Sequence, residues 1–127
     1  MEQEQKGKIK SFTDLVAWRE AHGLVLDMYG VTRQFPKEEL FGLTNQMRRA
    51  AVSVSSNIAE GFSRRSRTEK NRFYNIAQGS LIELQNQLIV SRDVGYMLKV
   101  DFDRIATKTI AVHKLINGLM KSARDDV

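Results

Sequence analysis

Every long apolar pattern in this chain repeats at three- and four-residue intervals, and none alternates with a period of two for more than a few residues. That spacing marks one face of a helix and excludes strands as the main element. The first stripe runs Trp18, Ala21, Val25, Met28, Thr32, Phe35. Ser11 or Thr13 stands where its cap belongs, and Asp14 suits the first turn. Pro36, the only proline, ends that helix, because it restricts Phe35 and cannot donate to the preceding turn. A second helix is predicted from just after Pro36, with Glu38 and Glu39 at its positive end. Its stripe is Leu40, Leu43, Met47, Ala50 (or Ala51), Val54 and Ile58. Gly61 stands where a helix-ending glycine would. The residues from Ala50 to Ala59 are mostly small, so a neighbouring helix is expected to approach closely there.

Residues 62–65 form a basic linker, and Ser66-x-x-Glu69 then fits a capping box for a third helix. Its core face is predicted as Phe73, Ile76, Ala77, Ser80, Leu81, Leu84 and Leu88. Ile82 and Ile89, seven apart, lie nearly opposite, which makes this helix apolar on two sides and calls for a second burial partner. Asp93-Val94-Gly95-Tyr96 closes it. Asp101 is the expected cap of the fourth helix, whose stripe is Phe102, Ile105, Thr109, Val112, Ile116 and Leu119, with Lys121 and Arg124 near its negative end. Four amphipathic helices with short connections fold most simply as an all-α, antiparallel up-down-up-down four-helix bundle. With 127 residues there is room for one domain, expected over 11–124, after an N-terminal tail at 1–10 that lacks periodicity and is predicted to be disordered. The tail has no apolar signal-peptide core, no window approaches the roughly 18 apolar residues of a membrane span, and there is no cysteine. A soluble cytoplasmic protein is expected.

Charge singles out one stretch. Seven cations (Arg48, Arg49, Arg64, Arg65, Arg67, Lys70 and Arg72) lie between Arg48 and Arg72 with two acids, Glu60 and Glu69, which accounts for the whole formal charge of +5. Arginine forks suit phosphate oxygens, and the amides opening the third helix add donors. Those seven residues are therefore the candidate nucleic-acid contacts, with Phe62 and Tyr74 flanking them either as stacking platforms or as core. The competing reading is a solvated turn with capping charges. No recognition-helix signature implies base-specific readout. Signs of catalysis are missing from the sequence: it has no phosphate-binding loop, no nucleophile elbow and no His-Glu-x-x-His. His22 and His113 lack the Glu-x-x-His spacing of a di-iron bundle, and the serines at 53, 55 and 56 have no evident base partner. No enzyme, cofactor or metal is expected.

Several motifs are similar to a known bacterial family. They are Phe12-x-Asp14-Leu15-x-x-Trp18-x-x-Ala21, Phe35-Pro36-Lys37-Glu38-Glu39, and the run from Leu43 through Gln46, Arg48-Arg49-Ala50-Ala51-Val52-Ser53-Val54, Ser56-Asn57-Ile58-Ala59-Glu60-Gly61. Gly79-Ser80-Leu81-x-Glu83-Leu84 and Gly95-Tyr96 continue the match, so it covers about residues 11–98. Together they resemble the four helix bundle proteins encoded in intervening sequences of 23S ribosomal RNA genes. Ser55 departs from the pattern, since many relatives carry proline there, which bears on whether the second helix kinks. The resemblance implies a ring-like homopentamer without enzymatic activity. It extends in architecture to accessory proteins of diversity-generating retroelements, which bind nucleic acid and a reverse transcriptase.

Two function classes stay open at this stage. One is an oligomer that binds the backbone of structured RNA or DNA, to which five +5 chains would bring +25. The other is a protein–protein scaffold or accessory subunit without direct nucleic-acid binding. Ile82 and Ile89 are the candidate contacts between subunits. Self and nucleic acid or protein are the expected partners; a membrane is not.

Overall fold

The computed structural model describes residues 9–126. The predicted disordered tail lies, for residues 1–8, outside the described residues. Among the described residues there are four α-helices, two short 3₁₀ turns and no strand. The helices are α1 (Val16–Thr32), α2 (Leu43–Ser63), α3 (Arg67–Asp93) and α4 (Lys99–Ser122).

Ser11 caps, but what it caps is a 3₁₀ turn over Phe12–Asp14. Its Oγ accepts from the Thr13 amide at 3.1 Å, and Asp14 accepts from the amides of Lys10 and Ser11 at 2.9 and 3.2 Å. Those amide donors, led by Lys10, hold the Asp14 carboxyl below its usual range. Leu15 is extended, and α1 begins after it. The helix ends at Thr32, short of Phe35, because the chain tightens into turns from Val31 and Thr32 before Pro36. Within α1 the buried face is Ala17, Ala21, Leu24, Met28 and Thr32, with Trp18 and Val25 at its margin.

Helix two starts later than the sequence implies. Lys37–Glu39 form a 3₁₀ turn, and α2 opens at Leu43. Glu39 does the joining: Oε1 accepts from the Leu43 amide at 3.1 Å and Oε2 from the Tyr96 hydroxyl at 3.0 Å. One carboxylate thereby ties the α1–α2 connection to the α3–α4 connection. Leu40 falls in the turn and is 48% exposed, so it is not part of the core stripe. From Leu43 the helix runs unbroken through Ser55, whose Oγ returns a bond to the Val52 carbonyl at 3.1 Å. It also runs past Gly61, the expected terminator, to Ser63. Gly61 is there for proximity: a Cβ at that position would stand 2.5 Å from the Tyr74 ring and 3.0 Å from the Lys70 carbonyl.

The same contact turns α3. Tyr74, with 3% exposure, fills the core position expected of its neighbours, while Phe73 is half-buried and Ile76 exposed. Ala77, Leu81, Leu84 and Leu88 are buried as the periodicity predicts. Ser66 Oγ accepts from the Glu69 amide at 3.1 Å, one half of the predicted capping box. At the other end Gly95 takes φ +86, and the amides of Tyr96 and Met97 turn back to the Ser91 carbonyl. That is the position where only glycine is free of strain. Extended Leu98, and not Asp101, is the N-cap of α4; Asp101 sits one turn inside and favours the helix dipole from there.

α2 packs between α1 and α3, and α4 closes the bundle against α3 and α1. The interior is chiefly apolar, with Leu24, Met28, Met47, Ile58, Leu84 and Ile116 all fully buried. Two glycine substitutions separate packing from propensity. Gly61→Ala is expected to lose about 1–3 kcal/mol, the usual cost of overpacking against backbone and an aromatic ring. Gly79→Ala, with nothing within 4 Å of the new methyl, should gain about 0.5–1 kcal/mol from helix propensity. Urea denaturation midpoints of the two variants read both signs.

Candidate nucleic-acid interface

The seven candidate cations form two groups. Arg48 and Arg49 sit in the first half of α2, and the rest gather about 24 Å away along its axis, at 1.5 Å per residue, around the α2–α3 turn. The single patch inferred from sequence is a sequence cluster only.

In the first group Arg48 is held in place. Its guanidinium lies over the Tyr29 ring at 4.6 Å, and Nε donates to Thr32 Oγ1 at 2.9 Å. Thr32 spends its own proton on the Met28 carbonyl and is left to accept from Arg48. Arg49 is exposed, between two shallow clefts on either flank of α2. One, of about 450 Å³, is lined by Tyr29, Asn45, Arg48, Arg49, Val52 and Ser53; the other, of about 270 Å³, shares Arg49 and Ser53 and adds Ser80 and Glu83. Ser53 and Ser80 hydroxyls meet at 2.7 Å across the α2–α3 seam. Ser53 Oγ also accepts from Asn57 Nδ2 at 3.1 Å, so its hydrogen bonds serve the seam.

At the turn the cations are more compromised than their number implies. Arg64 pairs with Glu60 at 3.0 Å and lies over Phe73 at 4.6 Å. Arg72 pairs with Glu69 at 3.8 Å. Lys70 is largely buried: its ammonium donates to the carbonyls of Phe62, at 3.2 Å, and Arg64. It thus closes the C-terminal end of α2, where a cation offsets the helix dipole. Arg65 and Arg67 are exposed, and neither side chain has a carboxylate partner among the described residues.

Two further residues enter that sequence reasoning missed. The Arg67 amide donates to Asp125 Oδ1 at 2.7 Å, the Asp126 amide donates to the Arg65 carbonyl at 2.7 Å, and Asp126 stands 3.5 Å from Lys70. Of the donors expected to await a phosphate at the start of α3, the Arg67 amide already holds a carboxylate of the same chain and the Glu69 amide holds the Ser66 hydroxyl. The five cations of the turn (Arg64, Arg65, Arg67, Lys70, Arg72) therefore share it with four carboxylates (Glu60, Glu69, Asp125, Asp126), while Arg124, next to Asp125, closes the end of α4. Asp125 and Asp126 are plain in the sequence, but their landing site lies 58 residues back, and no local pattern reports it.

Of the flanking aromatics, Tyr74 is core. Phe62 is half-buried with the Lys70 ammonium 6.0 Å from its ring centre. His22 stacks on Trp18 at 4.9 Å, and the His113 carbonyl accepts from Gln78 at 3.0 Å. Among the described residues no three His, Cys, Asp or Glu side chains gather as a metal site, and no helix is long and apolar enough to cross a membrane. Ile82 and Ile89 are 57% and 44% exposed. Ile89 borders an apolar groove of about 240 Å³ between α3 and α4, with Leu88, Phe102, Ala106 and Ile110.

The fold and the basic turn define a four-helix bundle protein with a charged end. Residues 13–118 match the family model of the 23S rRNA-intervening sequence protein, and the chain belongs to that family. A solved structure from Bacteroides thetaiotaomicron VPI-5482, a protein with unknown function from the S23 ribosomal protein family, shares the fold. Its TM-score is 0.77 at 19% sequence identity, over 84% of this chain and 96% of that one. No curated protein matches the chain.

Burial pushes the Tyr74 hydroxyl up to about 12 from the ordinary 10. Because the folded state holds this proton more tightly than the unfolded chain, the stability it contributes is intact below pH 10 and is lost as pH rises through 12. Denaturation midpoints should therefore fall across that window in the parent and fall less in Tyr74→Phe. Tyr96, raised by its hydrogen bond to Glu39, contributes in the same direction.

Proposed function

We propose that this protein is a non-enzymatic, cytoplasmic, oligomeric bundle that binds the backbone of structured RNA or DNA through the α2–α3 turn, with the functional unit spanning residues 11–124. The observation that carries the reading is the pair Arg65 and Arg67. Both are exposed, without carboxylate partners among the described residues, and beside the first amides of α3. Guanidinium forks next to oriented amides match phosphodiester oxygens and carry no base preference. Arg64 and Arg72, each in an exposed ion pair, are recruitable at small cost, because such pairs contribute little in water. Lys70 serves the fold first. Arg48 and Arg49 offer a second contact region on the flank of α2 for a ligand long enough to reach it.

An antiparallel up-down-up-down order is part of this reading. Its support is the descending series of contacts from α3 to α4: Asn71 to Met120, Gln78 to His113 and Asn117, Gln85 to Thr109. Self-association is proposed through the face bearing Ile82, Ile89 and Ile110, with a second copy as the occupant and a pentameric ring as the form that the family resemblance implies. The apolar groove beside Ile89 and the high exposure of all three isoleucines support it.

Binding of a labelled single-stranded RNA across a salt series tests the first part. The double change Arg65→Gln/Arg67→Gln should flatten the log–log salt slope by about 1.4, two contacts at roughly 0.7 each, while helicity stays unchanged. An unaltered slope moves the contact surface elsewhere, and no binding by the parent at low salt favours the scaffold reading. For the second part, Ile82→Asp/Ile89→Asp should lower the mass seen by light scattering to that of one chain. An oligomer that survives removes both residues from the interface.

A further inference from the structure

We propose that Asp125 and Asp126 form an intramolecular latch that occupies the helix-opening amide and Lys70 at the α2–α3 turn and must leave before a phosphate can take that place. The inference rests on the nucleic-acid reading above and names how that site is regulated.

The segment after α4 is shaped for this placement. Ala123 is buried and extended, so it fixes where the chain leaves the helix. Arg124 folds back, its Nη1 donating to the carbonyls of Lys121 and Ala123 at 3.3 and 2.9 Å, which closes the end of α4. The next two residues then cross to the turn. Asp125 Oδ1 takes the Arg67 amide at 2.7 Å, the amide of Asp126 bonds the Arg65 carbonyl at 2.7 Å, and its carboxylate pairs with Lys70 at 3.5 Å. Three contacts thus land on consecutive parts of the basic turn. A carboxylate on a helix-opening amide makes the same kind of charge-assisted bond as a phosphate oxygen. The grip is also releasable. Asp126 is about half exposed although Lys70 is largely buried, the segment from Ala123 to Asp126 buries only Ala123, and the partly exposed 3.5 Å pair is open to screening by salt. Among the described residues the Arg65 and Arg67 guanidinia have no carboxylate partner in the latched form, so a polyanion can be held there before it displaces Asp125 and Asp126.

The test uses the whole chain and two probes. With inorganic phosphate, amide NMR shifts of Arg67 and Thr68 should titrate weakly in the parent. In Asp125→Asn/Asp126→Asn they should titrate with a dissociation constant lower by about five- to tenfold, the range set by freeing an occupied helix terminus. Asp101→Asn/Asp103→Asn makes the same charge change at the far end of α4, about 30 Å away, and should leave the phosphate titration unmoved. Asp125→Ala/Asp126→Ala, which also removes the acceptors, should tighten phosphate binding at least as much as the asparagine pair. Equal affinity in the parent and both latch variants, or an equal gain in the distant control, overturns the latch. With labelled single-stranded RNA, the latch variants should gain a similar factor and the control should not. Phosphate gain without RNA binding by any variant keeps the latch and rejects the nucleic-acid reading. RNA binding that is unchanged by the latch variants keeps that reading and rejects the latch.

Discussion

The close approach of α2 and α3 at Gly61 and Tyr74 sets the geometry of everything around the charged end. A missing Cβ lets a tyrosine ring and a backbone carbonyl sit where a methyl would clash. That approach takes Tyr74 into the core, rotates Phe73 to the margin and Ile76 to the surface, and brings the ends of the two helices so near that only Arg64, Arg65 and Ser66 join them. Three residues between tightly packed helices have little choice of path. Lys70, one turn into α3, is therefore directed onto the open carbonyls at the end of α2, and Ser66 onto the amide of Glu69. Small residues extend the same seam upward through Ala50, Ala51 and the Ser53–Ser80 contact. The seam depends on size rather than on apolar character.

Electrostatics are then arranged by the fold and not by the sequence interval. The stretch from Arg48 to Arg72 holds all of the excess charge on paper. In space two of its cations stand far up α2, three are paired with glutamate or with a carbonyl-rich helix end, and acids from beyond α4 return to the turn. What is left for a ligand is a short list of guanidinia, Arg65 and Arg67 first among them. A patch summed along the chain overstates the field that a partner meets, since acids remote in sequence lie within contact distance.

Much of the fold was readable because its signals are local. The 3.6-residue stripes located all four helices, Pro36 and Gly95 marked two real boundaries, and Ser66 capped where its motif said. The errors share one cause. Leu40, Gly61, Ile76 and Asp101 each obey a local rule and lost to a tertiary demand: a 3₁₀ turn tied down by Glu39, an interhelical contact, a rotated core face and an earlier extended cap. Leu24 was overlooked, and Tyr74 left open between core and stacking platform, for the same reason, since a stripe drawn one residue off still looks periodic. Of the candidate site, the residue types were legible and their availability was not. The contacts that remove Lys70 from service, or place Asp125 on Arg67, span the folded structure.

The seam between α3 and α4 decides where the acidic segment can land. Asn71, Gln78 and Gln85 are seven apart on α3 and all reach α4, to the Met120 carbonyl, to the His113 carbonyl with Asn117, and to Thr109. A seven-residue spacing keeps one line of a helix facing its neighbour along a bundle seam. Apolar residues alone would tolerate a slide by one turn at modest cost, because one methyl group packs much like another. Directional bonds do not, since a slip leaves the buried Gln78 amide without its partners, at about 1–3 kcal/mol. The three polar residues therefore fix the register of α4, and the register fixes Ala123 opposite the start of α3. Only from that position can two successive aspartates reach the Arg67 amide and the Lys70 ammonium together. Gln78, bonded to the His113 carbonyl and Asn117, thus bears on where the acidic segment meets the turn although it touches neither aspartate.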